Sequence, residues 1–452
     1  MDKILRANKF ISENAGGVNG KYRLKYHMTP PVGWMNDPNG LIYFGGKYHL
    51  YYQFNPYGAQ PGTMYWGRFS SEDLISYEEC GVAIAPDGEY SSVFSGGATE
   101  CGGKINALYT LHTEKDGKQS EEVYGAVSAD GGAFGAGAKI FDNEELPENI
   151  SRTDFRDPCP VEIGGKYFVF VGGKDVKKNA GVIIVLSGDN LDKLNYAFCI
   201  GPFYELGDMG ECPSYFRVGG KDVLLCSGCR VPERGNDFKN VNSSVFVVGN
   251  IDFGRGSMSV DFIKEIDKGD AFYAPQFIRG AEKPIMIGWL ENWGKPYVTQ
   301  QLGHGWAGAF SVPRELSYAD GDIFQKPVES LEKYCADADG GEIGDCAEIT
   351  FTFDGGGELE LCGENGGVTV GFDGGVYLDT RNANNMNGCV RRTNGVYGSC
   401  GVRVLRDVSG IEVFVDGGRE VISSRIFVDG VCKIITRGGV NNVRVRRIEV
   451  VK

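Results

Sequence analysis

The chain has 452 residues, a formal net charge of −14, 68 glycines and 12% aromatic residues. That length leaves room for two or more domains with a sizeable core, and the acidic balance excludes nucleic acid and anionic membrane surfaces as partners. Glycine without a collagen period, set among apolar and aromatic runs, fits an all-β chain with many tight turns rather than disorder.

In chain order, the first dozen residues suit a short helix, and they carry charges without an apolar core of signal-peptide length. No stretch approaches the 18 apolar residues of a membrane span. The thirteen cysteines are an odd number scattered through both halves. They read as reduced thiols, so a cytoplasmic location is expected. Cys226 and Cys229 form a CxxC with no second pair or His cluster, which argues for buried small hydrophobes rather than zinc ligands.

From residue 41 a strand–turn–strand unit appears: 41–44, then Gly45-Gly46-Lys47, then 48–54. A Gly-Gly pair between aromatic and β-branched runs is a hairpin signal. The turn recurs at Gly102, Gly164 and Gly219, and in weaker form at Gly280, with starts 57, 62, 55 and 61 residues apart. Strands are expected around the later turns at 161–163 and 167–171, 215–218 and 223–226, and 277–278 and 285–289. Such a repeat predicts five four-stranded blades over residues 22–325, a five-bladed β-propeller whose equivalent positions meet on one axis. Residues 327–336 suit a second short helix. An acidic stretch then runs to Asp345 and marks a domain boundary, after which short alternating strands over 345–452 read as a β-sandwich.

Three repeats carry an acid at nearly the same place. Asp37 lies 8 residues before its turn, Asp157 lies 7 before and Glu211 lies 8 before, so carboxylates 120 and 54 residues apart in sequence converge. Each is followed within two positions by a proline, which fixes φ and directs the acid into an extended segment. One such pair would read as a turn, but three in register with a repeat read as a site. Clustered carboxyls cannot all ionise comfortably, so at least one pKa is raised. A proton donor beside an ionised partner is what glycoside hydrolysis requires. With four His and no Ser or Cys motif beside them, triad chemistry is the weaker rival, and no phosphate-cradling GxxxxGK[ST] is present.

The segments WMNDPNG (34–40), YQFNP (52–56), FSGG (94–97), FRDP (155–158), ECP (211–213), YAPQ (273–276) and SVPREL (311–316) resemble glycoside hydrolase family 32. That family comprises the invertases, sucrose-6-phosphate hydrolases and fructan hydrolases. The stretch 409–426 is similar to its terminal β-sandwich, so the resemblance covers nearly the whole chain after residue 22. It implies a five-bladed propeller, retention of configuration, a small-molecule fructoside substrate, and no metal or organic cofactor. By the same resemblance Asp37 is the nucleophile, Glu211 the general acid and then base, and Asp157 the transition-state stabiliser with Arg156 orienting the acids. Asn36, Gln53, Trp66, Phe94 and Ser95 match the fructose pocket, and Tyr273 and Trp293 are further candidates; Trp34 fits a core aromatic.

One departure stands out. The family usually has His after Trp-Gly in blade one, where this chain has Arg68. A guanidinium there could meet a phosphate, or it is a surface Arg, the reading the residue type favours. The implied activity is cleavage of sucrose or sucrose 6-phosphate, with an exo-acting fructan hydrolase as the alternative. An inverting furanosidase on another five-bladed propeller and a non-catalytic sugar-binding propeller are further rivals. The WMNDPNG segment and the terminal sandwich oppose the first, and the presence of all three acids opposes the second. Oligomeric state is not encoded in any of these features.

Overall fold

The computed structural model describes residues 2–338, 343–395, 398–430 and 433–450. Five antiparallel sheets follow one another round an axis, and the remaining strands form a C-terminal β-sandwich. Blade one is built from Gly33–Phe44, Lys47–Asn55, Tyr65–Ser71 and Glu78–Ile84. Blades two to five begin with Ser91–Cys101, Ile150–Ile163, Gly210–Val218 and Tyr273–Phe277. These five first strands pack against one another and so line the axis.

The recurrent turns join first to second strands. Phe44 pairs with Lys47, Cys101 with Lys104, Ile163 with Lys166 and Val218 with Lys221, leaving two-residue loops. Both glycines of each loop have positive φ, as at Gly45 (+58°) and Gly46 (+84°). This is the backbone twist that suits a right-handed hairpin and that side chains resist. Blade five is looser, with residues 278–284 between its first two strands and residues 290–313 between its second and third. That longer excursion carries Trp306–Ala307, which runs parallel to blade one and pairs Gly33 with Trp306 and Trp34 with Ala307. The ring is closed there.

Each innermost strand also contains an irregularity at one level. Register slips by one residue between Met35 and Pro38, Phe94 and Gly96, Arg156 and Cys159, Glu211 and Ser214, and Tyr273 and Gln276. A bulge inserts an extra residue and re-aims side chains. The expectation that proline sends each acid into an extended segment fails at Asp157, whereas Asp37 and Glu211 keep negative φ. Asp157, Cys212 and Ala274 each precede a proline, yet have φ of +66°, +48° and +49°. At these three positions the bulge adopts the left-handed backbone and overrides the local preference.

Two short helices flank the propeller. Lys3–Asn14 is capped by Asp2 and buries Ala7 and Ile11, and Asn8 accepts from the Val82 N–H of blade one at 2.8 Å. The second is a 3-10 segment, Glu329–Tyr334, confined between the strands Asp322–Pro327 and Cys335–Asp337. Cys335–Asp337 pairs with the last strand, Lys433–Ile448, so the acidic stretch is tied into the sandwich from its start. Ala347–Cys362 and Lys433–Ile448 are long strands that bend from one layer to the other. At the bend Gly438 has φ +69°, and a Cβ on Gly439 would lie 1.8 Å from the Asp354 carbonyl. Between the layers pack Phe351, Phe353, Leu359, Val370, Val404 and Val413.

Buried charges join the two parts. His27, wholly buried, lies 2.9 Å from Asp407 through Nδ1 and 2.9 Å from Glu412 through Nε2. Asp407 also accepts from the backbone N–H groups of Lys25, Tyr26 and His27. Arg314, in blade five, donates to Glu412, to Asp267 at 2.9 Å and to the Ser423 hydroxyl at 2.8 Å. Paired on every side, such charges survive burial.

Candidate active site

The bulges open onto a cavity of about 540 Å³ at the mouth of the axis. Asn36, Asp37, Gln53, Phe94, Ser95, Arg156, Asp157, Glu211 and Trp293 all line it. Their convergence follows from the shared bulge level: the extra residue turns Asp37, Ser95 and Asp157 inward from three consecutive blades, and Glu211 stands beside the bulge of the fourth.

Each acid has a distinct set of partners. Asp37 accepts from the Asn36 amide at 3.0 Å on one oxygen and from the Ser95 hydroxyl at 2.8 Å on the other. Asn36 is itself held by the Trp34 indole N–H at 2.7 Å. Asp157 accepts from the Cys212 N–H at 2.8 Å, while its own N–H donates to Thr110 Oγ1 at 2.8 Å. Glu211 accepts from the Tyr273 hydroxyl at 2.6 Å and from Arg156 Nε at 3.2 Å. The Cys212 thiol stands between two acids, 3.6 Å from Asp37 and 3.5 Å from Asp157.

These surroundings separate the acids electrostatically. Burial, with Glu211 nearby, raises Asp37 to about 6, and the Asn36 and Ser95 hydrogen bonds temper the rise. Burial and the Glu211 charge push Asp157 up to about 8. Burial acts on Glu211 too, but the Arg156 guanidinium and the Tyr273 hydroxyl outweigh it and hold Glu211 below its usual value. The expected raised carboxyl is therefore Asp157 and, less so, Asp37, whereas Glu211 is the ionised partner. The cluster shares its protons, so a new charge or hydrogen bond can move one among its members.

Two of the expected wall residues stand behind the wall. Trp66 is wholly buried between blades one and two, 5.9 Å from Tyr51 and 6.1 Å from Tyr109 between ring centres. Its ring packs into the core between those blades and is not part of the cavity lining. Its indole N–H instead holds the Phe94 carbonyl at 3.0 Å. Tyr273, 1% exposed, meets Glu211 from behind. Trp34 is a core aromatic, 4.6 Å from Tyr297 and 5.7 Å from Trp289. Arg68 is half-buried outside the cavity lining and donates to the Gly131 carbonyl at 2.8 Å.

Several contributors carry no motif. Glu121 grips Arg156 Nη1 through both oxygens at 2.6 and 2.7 Å and so aims the guanidinium at Glu211. In sequence it belongs to a charged run, 118–122, that resembles a solvated face. His112 stacks on Phe94 at 4.3 Å and 7°, holding the ring upright at the cavity edge. Cys229, Lys174 and Arg230 also reach the lining. They sit near strand ends, and only the blade geometry brings them in.

Comparison with known proteins agrees with this geometry. Residues 27–327 match the glycosyl hydrolases family 32 N-terminal domain and residues 330–451 the family 32 C-terminal domain. A sucrose-6-phosphate hydrolase from Vibrio alginolyticus is 30% identical over 435 residues, 91% of this chain and 88% of its own length. One from Escherichia coli is 29% identical, covering 89% and 88%. A Bombyx mori GH32 beta-fructofuranosidase, solved as a mutant in complex with sucrose, superposes with a TM-score of 0.88 at 31% identity over 98% of both chains. The sucrose-6-phosphate hydrolase from Lactobacillus gasseri shares the fold, with a TM-score of 0.88 at 23% identity over 98% of this chain and 96% of its own. The chain belongs to glycoside hydrolase family 32.

Proposed function

We propose that the protein is a retaining β-fructofuranosidase that releases terminal fructose from sucrose or sucrose 6-phosphate. The observation that carries this is the differentiated triad of acids in one cavity: Asp37 fixed by neutral donors, Glu211 tied to a cation and a phenol, and Asp157 buried and neutral. The sucrose-6-phosphate hydrolases and the sucrose-bound beta-fructofuranosidase among its relatives support the substrate class. We take residues 22–325 as the catalytic unit and 345–452 as the sandwich that braces it.

In this mechanism Asp37, whose two oxygens are aimed by Asn36 and Ser95, attacks the anomeric carbon of the fructosyl ring. The bond to the leaving oxygen breaks with its electron pair, and Glu211 supplies that oxygen with a proton. Fructose hydroxyls donating to Asp157 favour its ionised form, and the displaced proton passes within the cluster to Glu211. The fructosyl ester on Asp37 is then hydrolysed by water, which Glu211 deprotonates as base. Arg156 holds Glu211 in place through both half-reactions, and Phe94 and Trp293 wall the sugar.

The test is the anomeric form of the first fructose released, followed by NMR before mutarotation. The β-anomer is expected, and α-fructose would eliminate the double displacement. Short fructans run alongside sucrose and sucrose 6-phosphate would expose an exo-fructan hydrolase by a higher kcat/KM on the longer chains.

A further inference from the structure

The charged groups around the cavity are almost all spoken for. Arg156 is engaged by Glu121 and Glu211, and Arg230 Nε donates to Asp208 at 2.6 Å. Lys174 lines the same cavity and is half-buried, and its ammonium makes no ion pair or hydrogen bond with any described residue. The acid nearest to it along the sheet, Asp154, is occupied by the Ser151 hydroxyl at 3.0 Å.

Its place on the strand gives the lysine a direction. Lys174 belongs to the second strand of blade three, Lys166–Asp175. Two residues earlier stands Gly172, on the same face by strand alternation. A Cβ on Gly172 would lie 3.1 Å from the Glu211 Cα, so this face looks toward the acid. The strand runs toward the mouth, because Gly172 pairs with Arg156 and Asp175 with the more distant Ile150. Lys174 therefore stands about 7 Å mouthward of the Glu211 level, at roughly 3.3 Å per residue. That is the side on which a leaving sugar protonated by Glu211 sits.

We infer that Lys174 is the specificity residue for a phosphate monoester on the leaving sugar, with Arg230 as the second cation on that rim. This rests on the fructosidase reading above and assigns it the phosphorylated substrate. A dianion arriving there meets an ammonium with no bond to break, and it can take Arg230 from Asp208 by offering more oxygens to the guanidinium. Asp154 and Asp208 oppose the dianion, and an unpaired Lys174 offsets them only when a phosphate is present.

The experiment measures kcat/KM for sucrose 6-phosphate and for sucrose with the wild-type protein, Lys174→Met and Lys174→Arg. In Lys174→Met the ratio of the two is expected to fall about tenfold or more, carried by KM, as for loss of one charge-assisted contact. Lys174→Arg should retain most of the ratio. Added salt should erode the wild-type preference but leave the Met variant nearly flat. An unchanged ratio in Lys174→Met, or a wild-type protein that prefers unphosphorylated sucrose, overturns the assignment while leaving the fructosidase reading intact. Failure of the wild-type protein to release fructose from either substrate sinks both.

Discussion

The molecule buries charge in two places, and it treats the two differently. At the propeller–sandwich junction His27, Asp407, Glu412, Arg314 and Asp267 form a network in which each charge meets an opposite one. His27 is raised to about 9, even against burial, by its two carboxylates, and Asp407 is lowered to about 2 by His27 and backbone N–H groups. At the axis, the one cation among the described residues that bonds any of the three acids is Arg156, which is also committed to Glu121. There the burial of Asp37 and Asp157 is only partly offset, and both rise. Both regions are costly to desolvate, but only the first returns that cost as stability. The acids at the axis are held in a state that favours reaction over folding.

The largest expected effect tests the axis. Asp37→Ala should lower kcat/KM on sucrose by about 10⁴-fold or more with the fold intact and a melting temperature no lower than wild type, whereas Glu211→Gln should cost about 10²–10⁴-fold and most with poor leaving groups. Residual turnover near wild type in Asp37→Ala would show that another group attacks.

Removing His27 should do the opposite. His27→Ala strands Asp407 and Glu412 in the interior, and a loss of about 3–5 kcal/mol is expected in denaturant unfolding near neutral pH. Because the folded value of His27 lies above its unfolded 6.5, that contribution is full below about pH 6.5 and fades as pH rises through about 9. Asp407 works in the other direction, adding stability above about pH 4 that is lost as pH falls through about 2. A His27→Ala penalty that grew between pH 7 and 9 would break the comparison.

The smallest effect is the most pointed. Asp157 is raised in the folded state, so it costs stability progressively as pH climbs from about 4 through about 8. Asp157→Asn should therefore lose activity yet match wild-type stability near pH 4 and exceed it by a few kcal/mol at pH 9. Equal unfolding curves at pH 9 would mean the carboxyl is already solvated or paired.

How much of this was legible in the sequence follows from which features have a local signature. A two-residue hairpin needs glycine at positive φ, so Gly45-Gly46 and its repeats announced the blades, and counting back from them aligned Asp37, Asp157 and Glu211. Glu121, His112 and Lys174 gave no such signal, because a residue near the end of an outer strand reaches the axis only through the stagger of the blade. Trp66 shows the converse: it matches the family's pocket but packs between blades one and two, and acts through the Phe94 backbone. The junction network was equally silent, since His27 and Glu412 are 385 positions apart and nothing local marks either as buried. Proline at 38, 158 and 213 suggested extended backbone, and before 158 and 213 the tertiary demand for a bulge prevailed.

That bulge has a consequence for how such proteins diversify. The kink recurs in all five innermost strands, whether its inserted position carries an acid (Asp37, Asp157), a hydroxyl (Ser95), a thiol (Cys212) or a bare methyl (Ala274). The backbone therefore supplies five equivalent stations whose occupants are chosen independently of the hydrogen-bonded ladder that carries them. Chemistry at the axis can be rewritten by changing the occupants of these stations, with stations that bond each other, such as Asp37 and Ser95, changing together.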